Sequence, residues 1–409
     1  MCVRKNALIF LLRTSNGSKI RTYPGIEGSS DQDMEIEKLV DKQNEFYRSG
    51  MTRTYAFRKS MLDRLENGMD KYEDRIFAAL LWDLNKQRSE AYMTEIGLAH
   101  EELRYCRKHL AGWMRDRHTV PTIAQLPAIC TISPEPYGKV LIVSPWNYPI
   151  LLTMEPLIGA IAAGNCAVIK PSAYTPATSH VIAEMIEDTF PEKYITVVEG
   201  GREENKTLFD QDFDHIFFTG SVDVGRTVME AASKHLTPVT LELGGKSPVI
   251  IDETADMYLT AKRVAFGKVI NAGQTCVAPD YVLIQESVRD DFVDAWEKVM
   301  DKFFPDGDYL DMACIVNDKH YKRVTGLMEG QNIVLGGGRD PEKRFIEPTL
   351  MIDVDPESPV MQEEIFGPLL PVMTFDKIEE AIDFVQSRPK PLALYFFSRD
   401  RHMQKVVKD

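Results

Sequence analysis

At 409 residues the chain is longer than one ordinary hydrophobic core organises, so two or three domains are expected, and 44% hydrophobic content is enough to fill them. A formal net charge of -14 argues against a surface that tracks nucleic-acid phosphates, because such binding draws its affinity from clustered Lys and Arg. The six cysteines (Cys2, Cys106, Cys130, Cys166, Cys276, Cys314) are widely spread with no C-x-x-C pair, which argues against a zinc site or a disulfide framework and suits a reducing, cytoplasmic compartment.

Near the N-terminus, the apolar run from Ala7 to Leu12 is stopped by Arg13. It falls short of the roughly 7–15 apolar residues of a signal-peptide core, and no stretch approaches the ~20 needed to span a membrane. Residues 1–33 read as a poorly ordered extension or as the product of a start codon placed too early. From Asp33 to about His118 the pattern is helical, with Ile36, Leu39, Val40, Phe46 and Tyr47 on one face and Phe77, Leu80, Leu81 and Leu84 repeating the spacing. Pro121, Pro127, Pro134 and Pro136 then punctuate 118–137, where Thr122 to Ala124 and Ala128 to Ile132 are expected to form an extended arm or hairpin between domains.

Beyond Gly138 the period changes. Strands are expected at Lys139 to Val143, Ala167 to Lys170, Ile195 to Val198 and Ile216 to Phe218, with helices at Met154 to Ala163, Pro176 to Phe190 and Val222 to His235. Thr175 is the expected N-cap of the second of these helices. Strands alternating with helices of this length predict an α/β fold, a parallel sheet covered on both faces. A second α/β unit is expected after Gly244-Gly245, with strands at Pro248 to Ile251 and Tyr281 to Ile284, helices at Ala255 to Ile270 and Val288 to Phe303, a turn at Gly336 to Gly338 and an amphipathic helix from Arg399 to Asp409. The expected units are therefore a nucleotide-binding domain of 34–117 with 138–243, an arm of 118–137, and a second domain of 244–409.

Several residues in these turns can carry chemistry. Cys276 closes Asn271-Ala272-Gly273-Gln274-Thr275-Cys276, where Gly273 loosens the backbone and Pro279 stops a helix from continuing. That setting favours a nucleophile at a loop tip over the small buried hydrophobe that a free cysteine usually is. Glu242 stands among apolar residues beside Gly244-Gly245, where desolvation would raise its pKa and make it a base near neutral pH; the alternative is a surface glutamate at a strand end. Asn147, between Pro145 and Pro149, is either an amide held to donate to an oxyanion or an ordinary turn former. Gly220 to Gly225 follows a strand and opens a helix, so its amides can cradle a phosphate, although the G-x-x-x-x-G spacing also fits a plain strand-to-helix turn. Gly244-Gly245-Lys246-Ser247 ends like a nucleotide-binding P-loop, but position 240 is Thr where that motif needs Gly.

In combination, Pro145-Trp146-Asn147, the stretch Gly164 to Ser172, Phe218 to Ser221, Glu242 to Pro248, Gly273 to Cys276 and Glu364-Ile365-Phe366-Gly367-Pro368 resemble the aldehyde dehydrogenase superfamily in order and spacing. The stretches Asn271 to Asp280 and Ser387 to Tyr395 are most similar to its shorter, class 3 type. The resemblance runs from about Ile36 to the end. It implies a Rossmann-type cofactor domain, a second α/β catalytic domain with a β arm, and oxidation of an aldehyde to a carboxylic acid with NAD or NADP through a cysteine thiohemiacetal and an acyl thioester. By the same likeness Cys276 is the nucleophile, Asn147 the oxyanion donor and Glu242 the base that activates water. Lys170 is expected at the adenosine ribose, Gly220, Ser221 and Gly225 at the pyrophosphate turn and Glu364 at the nicotinamide ribose with Phe366 packing nearby, while Ser172 and Trp146 are further expected cofactor contacts.

Two departures from the family pattern stand out. Many NAD-preferring members carry Glu after Lys-Pro-Ser, where this chain has Ala173; losing that carboxylate removes a repulsion against a 2′-phosphate, so NADP is expected to be tolerated. The family's glycine-rich stretch and terminal strand after this point are absent, so the chain reads as C-terminally incomplete, and the family's homodimer is less certain here. The competing readings are a coenzyme A-acylating relative and an inactive fragment of the fold. No metal, nucleic acid or membrane span is expected.

Overall fold

The computed structural model describes residues 29–409. Most of the expected extension therefore lies outside the described residues, and its last positions already belong to a helix, α1 (Ser29–Arg48). The long α2 (Tyr55–Leu84) starts where Thr54 Oγ1 accepts from the Phe57 amide at 3.2 Å and ends at Asn85, which turns left-handed at φ 53°. α3 (Gly97–Trp113) completes the helical layer.

The arm differs from expectation in where its first strand falls. β1 (Arg117–Thr119) pairs antiparallel with β2 (Cys130–Ile132), whereas the expected strand around Thr122 to Ala124 is a turn. Gln125 Oε1 accepts from both the amide and the hydroxyl of Thr122 at 3.1 Å, which closes the chain on itself there.

The first large sheet contains β3 (Lys139–Val143), β4 (Cys166–Lys170), β5 (Ile195–Val197), β6 (His215–Gly220) and β7 (Val239–Leu243) in the order β5-β4-β3-β6-β7, all parallel. Its helices are α4 (Leu151–Ala163), α5 (Pro176–Thr189), α6 (Arg202–Phe209) and α7 (Val222–Ser233). β3 and β4 are buried along their whole length, as their unbroken apolar runs require of strands covered on both faces. Val140, Ile142, Ala167 and Ile169 pack under α2, α4 and α5, while Leu141, Val143, Val168, Ile216 and Phe218 pack under α1 and α7.

Thr175 precedes α5 but does not cap it. The Asp83 carboxylate takes that role from α2, accepting from the Ala177 amide at 3.3 Å and from the Thr178 amide at 2.8 Å. A partner far away in sequence displaced the local one.

The second large sheet is ordered β10-β13-β14-β9-β8-β15: β8 (Pro248–Ile251), β9 (Tyr281–Gln285), β10 (Asn332–Leu335), β13 (Thr349–Ile352), β14 (Leu369–Phe375) and β15 (Tyr395–Phe397). All its pairs are parallel except β10 with β13. β11 (Arg339–Asp340) and β12 (Phe345–Ile346) form a separate small hairpin. α8 (Met257–Val269) and α9 (Arg289–Phe303) cover one face, and α10 (Asp318–Gly326) and α11 (Ile378–Gln386) the other. α12 (Arg401–Lys408) follows β15 at the place expected for the final helix.

Candidate active site

The strand order of the first sheet reverses between β3 and β6, and a doubly wound sheet offers a ligand crevice above the carboxyl ends at that point. Three of the expected segments leave from this edge. β3 runs into Ser144-Pro145-Trp146-Asn147, β4 ends on Lys170 before Pro171-Ser172, and β6 ends on Gly220 before Ser221. Ser221 caps α7, its Oγ accepting from the Val224 amide at 3.5 Å, so the positive end of that helix opens at the crevice. Gly225 is buried one turn on against Leu243. Lys170 is buried, its Nζ donating to the carbonyls of Pro171 at 2.8 Å and Gly200 at 2.7 Å, and burial pushes its ammonium down to about 8. Ser172 Oγ accepts from the Tyr174 amide at 3.2 Å.

Across the crevice lies the segment Glu363 to Gly367. Trp146 meets the Phe366 ring edge-on at 5.2 Å and the His320 ring at 5.3 Å. Burial pushes Glu364 up to about 7, with the charge of Asp280 adding to the effect, and its buried Oε1 has no hydrogen-bond partner among the described residues. The carboxylate can lie there because residue 244 is glycine: a Cβ would sit 2.2 Å from Glu364 Oε2. The segment is clamped from three sides. Lys246 pairs with Asp280 and donates to the carbonyls of Val360 and Glu363 at 2.8 Å; Asp280 Oδ2 accepts from the Ile365 amide at 2.9 Å; Arg323 donates to the carbonyls of Glu364 at 3.2 Å and Ile365 at 2.7 Å. The resemblance to a P-loop around Lys246 thus ends in a lysine that binds protein. An unpaired carboxylate oxygen, an open helix N-terminus and a buried lysine along one crevice fit the ribose hydroxyls and pyrophosphate of a dinucleotide.

The thiol arrives on a strained loop. Asn271, Ala272 and Gly273 have φ of 49°, 53° and 71°, three consecutive left-handed residues after α8. They are held by buried amides: Gln274 Nε2 donates to the carbonyls of Asn271 at 2.9 Å and Cys314 at 3.0 Å, and Gln274 Oε1 accepts from the Val316 amide at 3.0 Å. Asn147 is buried and joins the same loop, its Nδ2 donating to the Gln274 carbonyl at 3.0 Å, while its own carbonyl accepts from Asn271 Nδ2 at 2.8 Å. The Tyr148 hydroxyl lies 2.6 Å from Thr275 Oγ1. Cys276 is half-buried rather than at an exposed tip, and burial pushes its thiol above the ordinary value, followed by the charges of Glu364 and Glu242.

Of the two settings expected for Glu242 the structure shows the exposed one at a strand end, because β7 is the edge strand of its sheet and the side chain lines a cavity of about 670 Å³. Cys276 lines the same cavity, with Thr219, Leu243, Leu152 and Glu155. Sequence reasoning missed His320 and Tyr174. Tyr174 meets the His320 ring edge-on at 5.8 Å, and burial, then Arg323 and Lys319, push His320 down to about 4, so it is neutral. Its buried Nδ1 has no hydrogen-bond partner among the described residues. No motif marks a histidine at the start of a surface helix, and only tertiary contact brings it to Trp146.

The model of the aldehyde dehydrogenase family matches residues 21–409. A 4,4'-diaponeurosporen-aldehyde dehydrogenase from Staphylococcus aureus is 48% identical, covering 91% of this chain and 83% of that protein. A dimeric, NADP-preferring aldehyde dehydrogenase of Canis lupus familiaris is 42% identical over the same shares of each chain. Among solved structures, Staphylococcus aureus AldH in a substrate-bound state superimposes with a TM-score of 0.89 at 47% identity, covering 91% of this chain and 82% of that one.

Proposed function

The chain belongs to the aldehyde dehydrogenase family, whose NAD- or NADP-dependent members oxidise aldehydes to carboxylic acids, and from that premise we propose the part each residue takes in that reaction. The Cys276 thiol gives up its proton to solvent, its Sγ attacks the aldehyde carbon as the thiolate, and Asn147 Nδ2 with the Cys276 amide stabilises the oxyanion of the resulting thiohemiacetal. Lys170, Ser172, Gly220, Ser221 and Gly225 hold the adenosine and pyrophosphate end of the dinucleotide, and Glu364, Phe366 and Trp146 its nicotinamide end. When bound, NAD or NADP supplies the hydride acceptor that turns the thiohemiacetal into an acyl thioester. Glu242 then takes a proton from water in the cavity, the water oxygen attacks the acyl carbon, and the carbon–sulfur bond breaks to release the acid and the Cys276 thiolate.

The observation that carries this reading is the cavity that Cys276 shares with Glu242, with Asn147 bonded into the loop that delivers the thiol. Hydrolysis is favoured over transfer to coenzyme A because Glu242 shares the cavity with the thiol. The test is a panel of medium-chain aliphatic and aromatic aldehydes with NAD beside NADP, following reduced cofactor and free acid. Cys276→Ala is expected to abolish both products, and retained turnover would remove Cys276 from the mechanism. A homodimer through the arm and a cytoplasmic location complete the proposal; they are supported by the exposed Val120, Ile123 and Ile129 of the arm and by the free cysteines.

A further inference from the structure

Behind Asn147 the helical layer buries a complete ion pair that the reaction does not use. Lys86 and Glu95 each have 0% side-chain exposure and are bonded to each other. Lys86 Nζ also donates to the Asn147 carbonyl at 3.0 Å and lies 4.3 Å from the centre of the Tyr148 ring. Glu95 Oε2 accepts from the amides of Ile150 at 2.8 Å and Leu151 at 3.3 Å, capping α4 with a carboxylate. Glu95 lies on a π turn, Tyr92–Ile96, and one turn earlier Glu90 Oε1 accepts from the Asn271 amide at 2.6 Å.

We propose that Lys86, Glu95 and Glu90 are positioning residues: from one short segment they set the peptide plane of Asn147 and the entry of the Cys276 loop, so that oxyanion donor and nucleophile keep one mutual geometry. A buried ion pair is a poor source of stability, since apolar replacements of similar volume are often neutral or stabilising, whereas fixing one arrangement is a use such pairs serve. The contacts made here match that use. Lys86 and Asn271 bond the same carbonyl oxygen from opposite elements, and Glu90 bonds the first residue of the left-handed run. A shift of Asn147 by a fraction of an ångström would misplace its Nδ2 relative to the carbonyl that Cys276 attacks.

The inference rests on the roles proposed for Cys276 and Asn147, and the test separates the two. Lys86→Met/Glu95→Gln removes both charges of the pair together and keeps an acceptor for the α4 amides. Its single-turnover rate of reduced-cofactor formation, with the best aldehyde of the panel and enzyme in excess, is expected to fall about 10-fold or more while melting temperature and cofactor Kd stay near wild type. In an Asn147→Ala background the same pair of changes is expected to add little further loss. Losses that multiply, or a folded variant with the wild-type rate, would overturn the positioning role. If Asn147→Ala alone leaves the rate unchanged, it is the parent reading that fails. Should the double variant not fold, Glu90→Gln, which keeps an acceptor for Asn271, is put through the same cycle with the same two outcomes.

Discussion

In the proposed mechanism Glu242 acts only after hydride transfer, so its loss has a signature of its own. Glu242→Gln is expected to keep single-turnover formation of reduced cofactor while steady-state turnover falls roughly 10²–10⁴-fold. Rapid mixing reads both, and an equal fall would take Glu242 out of thioester hydrolysis. Lys170 gives a pH dependence. Burial pushes its ammonium down to about 8, and under its proposed role the charged donor to the ribose is lost as pH rises through that value, so cofactor Kd should weaken above about pH 8 and flatten in Lys170→Met. Calorimetric titration across that range decides it, and a level wild-type Kd would free Lys170 of the role. Next to it, Ala173 is exposed at the end of the Lys-Pro-Ser stretch. Ala173→Glu restores a carboxylate that repels a 2′-phosphate, and kcat/KM with NADP relative to NAD is expected to drop by roughly 10-fold; an unchanged ratio would mean that cofactor choice is set elsewhere. At this scale the sequence named Cys276, Glu242 and Asn147 but left the burial of Glu242 open between two settings, because whether a strand residue is desolvated depends on which strands flank it.

The loop from Asn271 to Gly273 shows how an element stores strain at a site. Left-handed conformation costs a side chain that bears a Cβ about 1–2 kcal/mol, and Asn271 and Ala272 adopt it in succession, held by the side-chain amide of Gln274 and the main-chain carbonyl of Asn147. Gly273 has no alternative. Its φ is 71°, and a Cβ would lie 2.4 Å from the Gly367 carbonyl oxygen, in the segment that carries Glu364 and Phe366. Gly273→Ala is therefore expected to destabilise the protein by more than about 1 kcal/mol and to lower both kcat and cofactor affinity, read from thermal unfolding and steady-state kinetics. A variant that binds cofactor normally would show that the two segments move independently. Helix and strand periods were legible because buried parallel strands and amphipathic helices write their packing into the sequence. Caps were less so. Thr175 has the right chemistry for the start of α5, yet Asp83 occupies the amides, since a carboxylate brought in by helix packing accepts more strongly than a neighbouring hydroxyl.

For the whole molecule, the arm is the open question that solution measurement settles. Val120, Ile123 and Ile129 are 86–92% exposed on a two-stranded hairpin, and an isolated hairpin with apolar side chains in water is marginally stable. Ile123→Asp/Ile129→Asp is expected to shift a dimer to monomer in sedimentation equilibrium; a wild-type chain already monomeric at micromolar concentration would discard the proposed dimer. By itself the sequence determined the α/β class, the order of the strands along the chain and the identity of the thiol, because hydrophobic periodicity and turn chemistry act over a few residues. Only the tertiary structure decided that Cys276 and Glu242 line one cavity, that Asn147 bonds the loop before the thiol, that His320 joins Trp146 and that Lys86 and Glu95 stand behind Asn147. Those contacts join residues tens to hundreds of positions apart, and their geometry comes from how two large sheets and one helical layer pack.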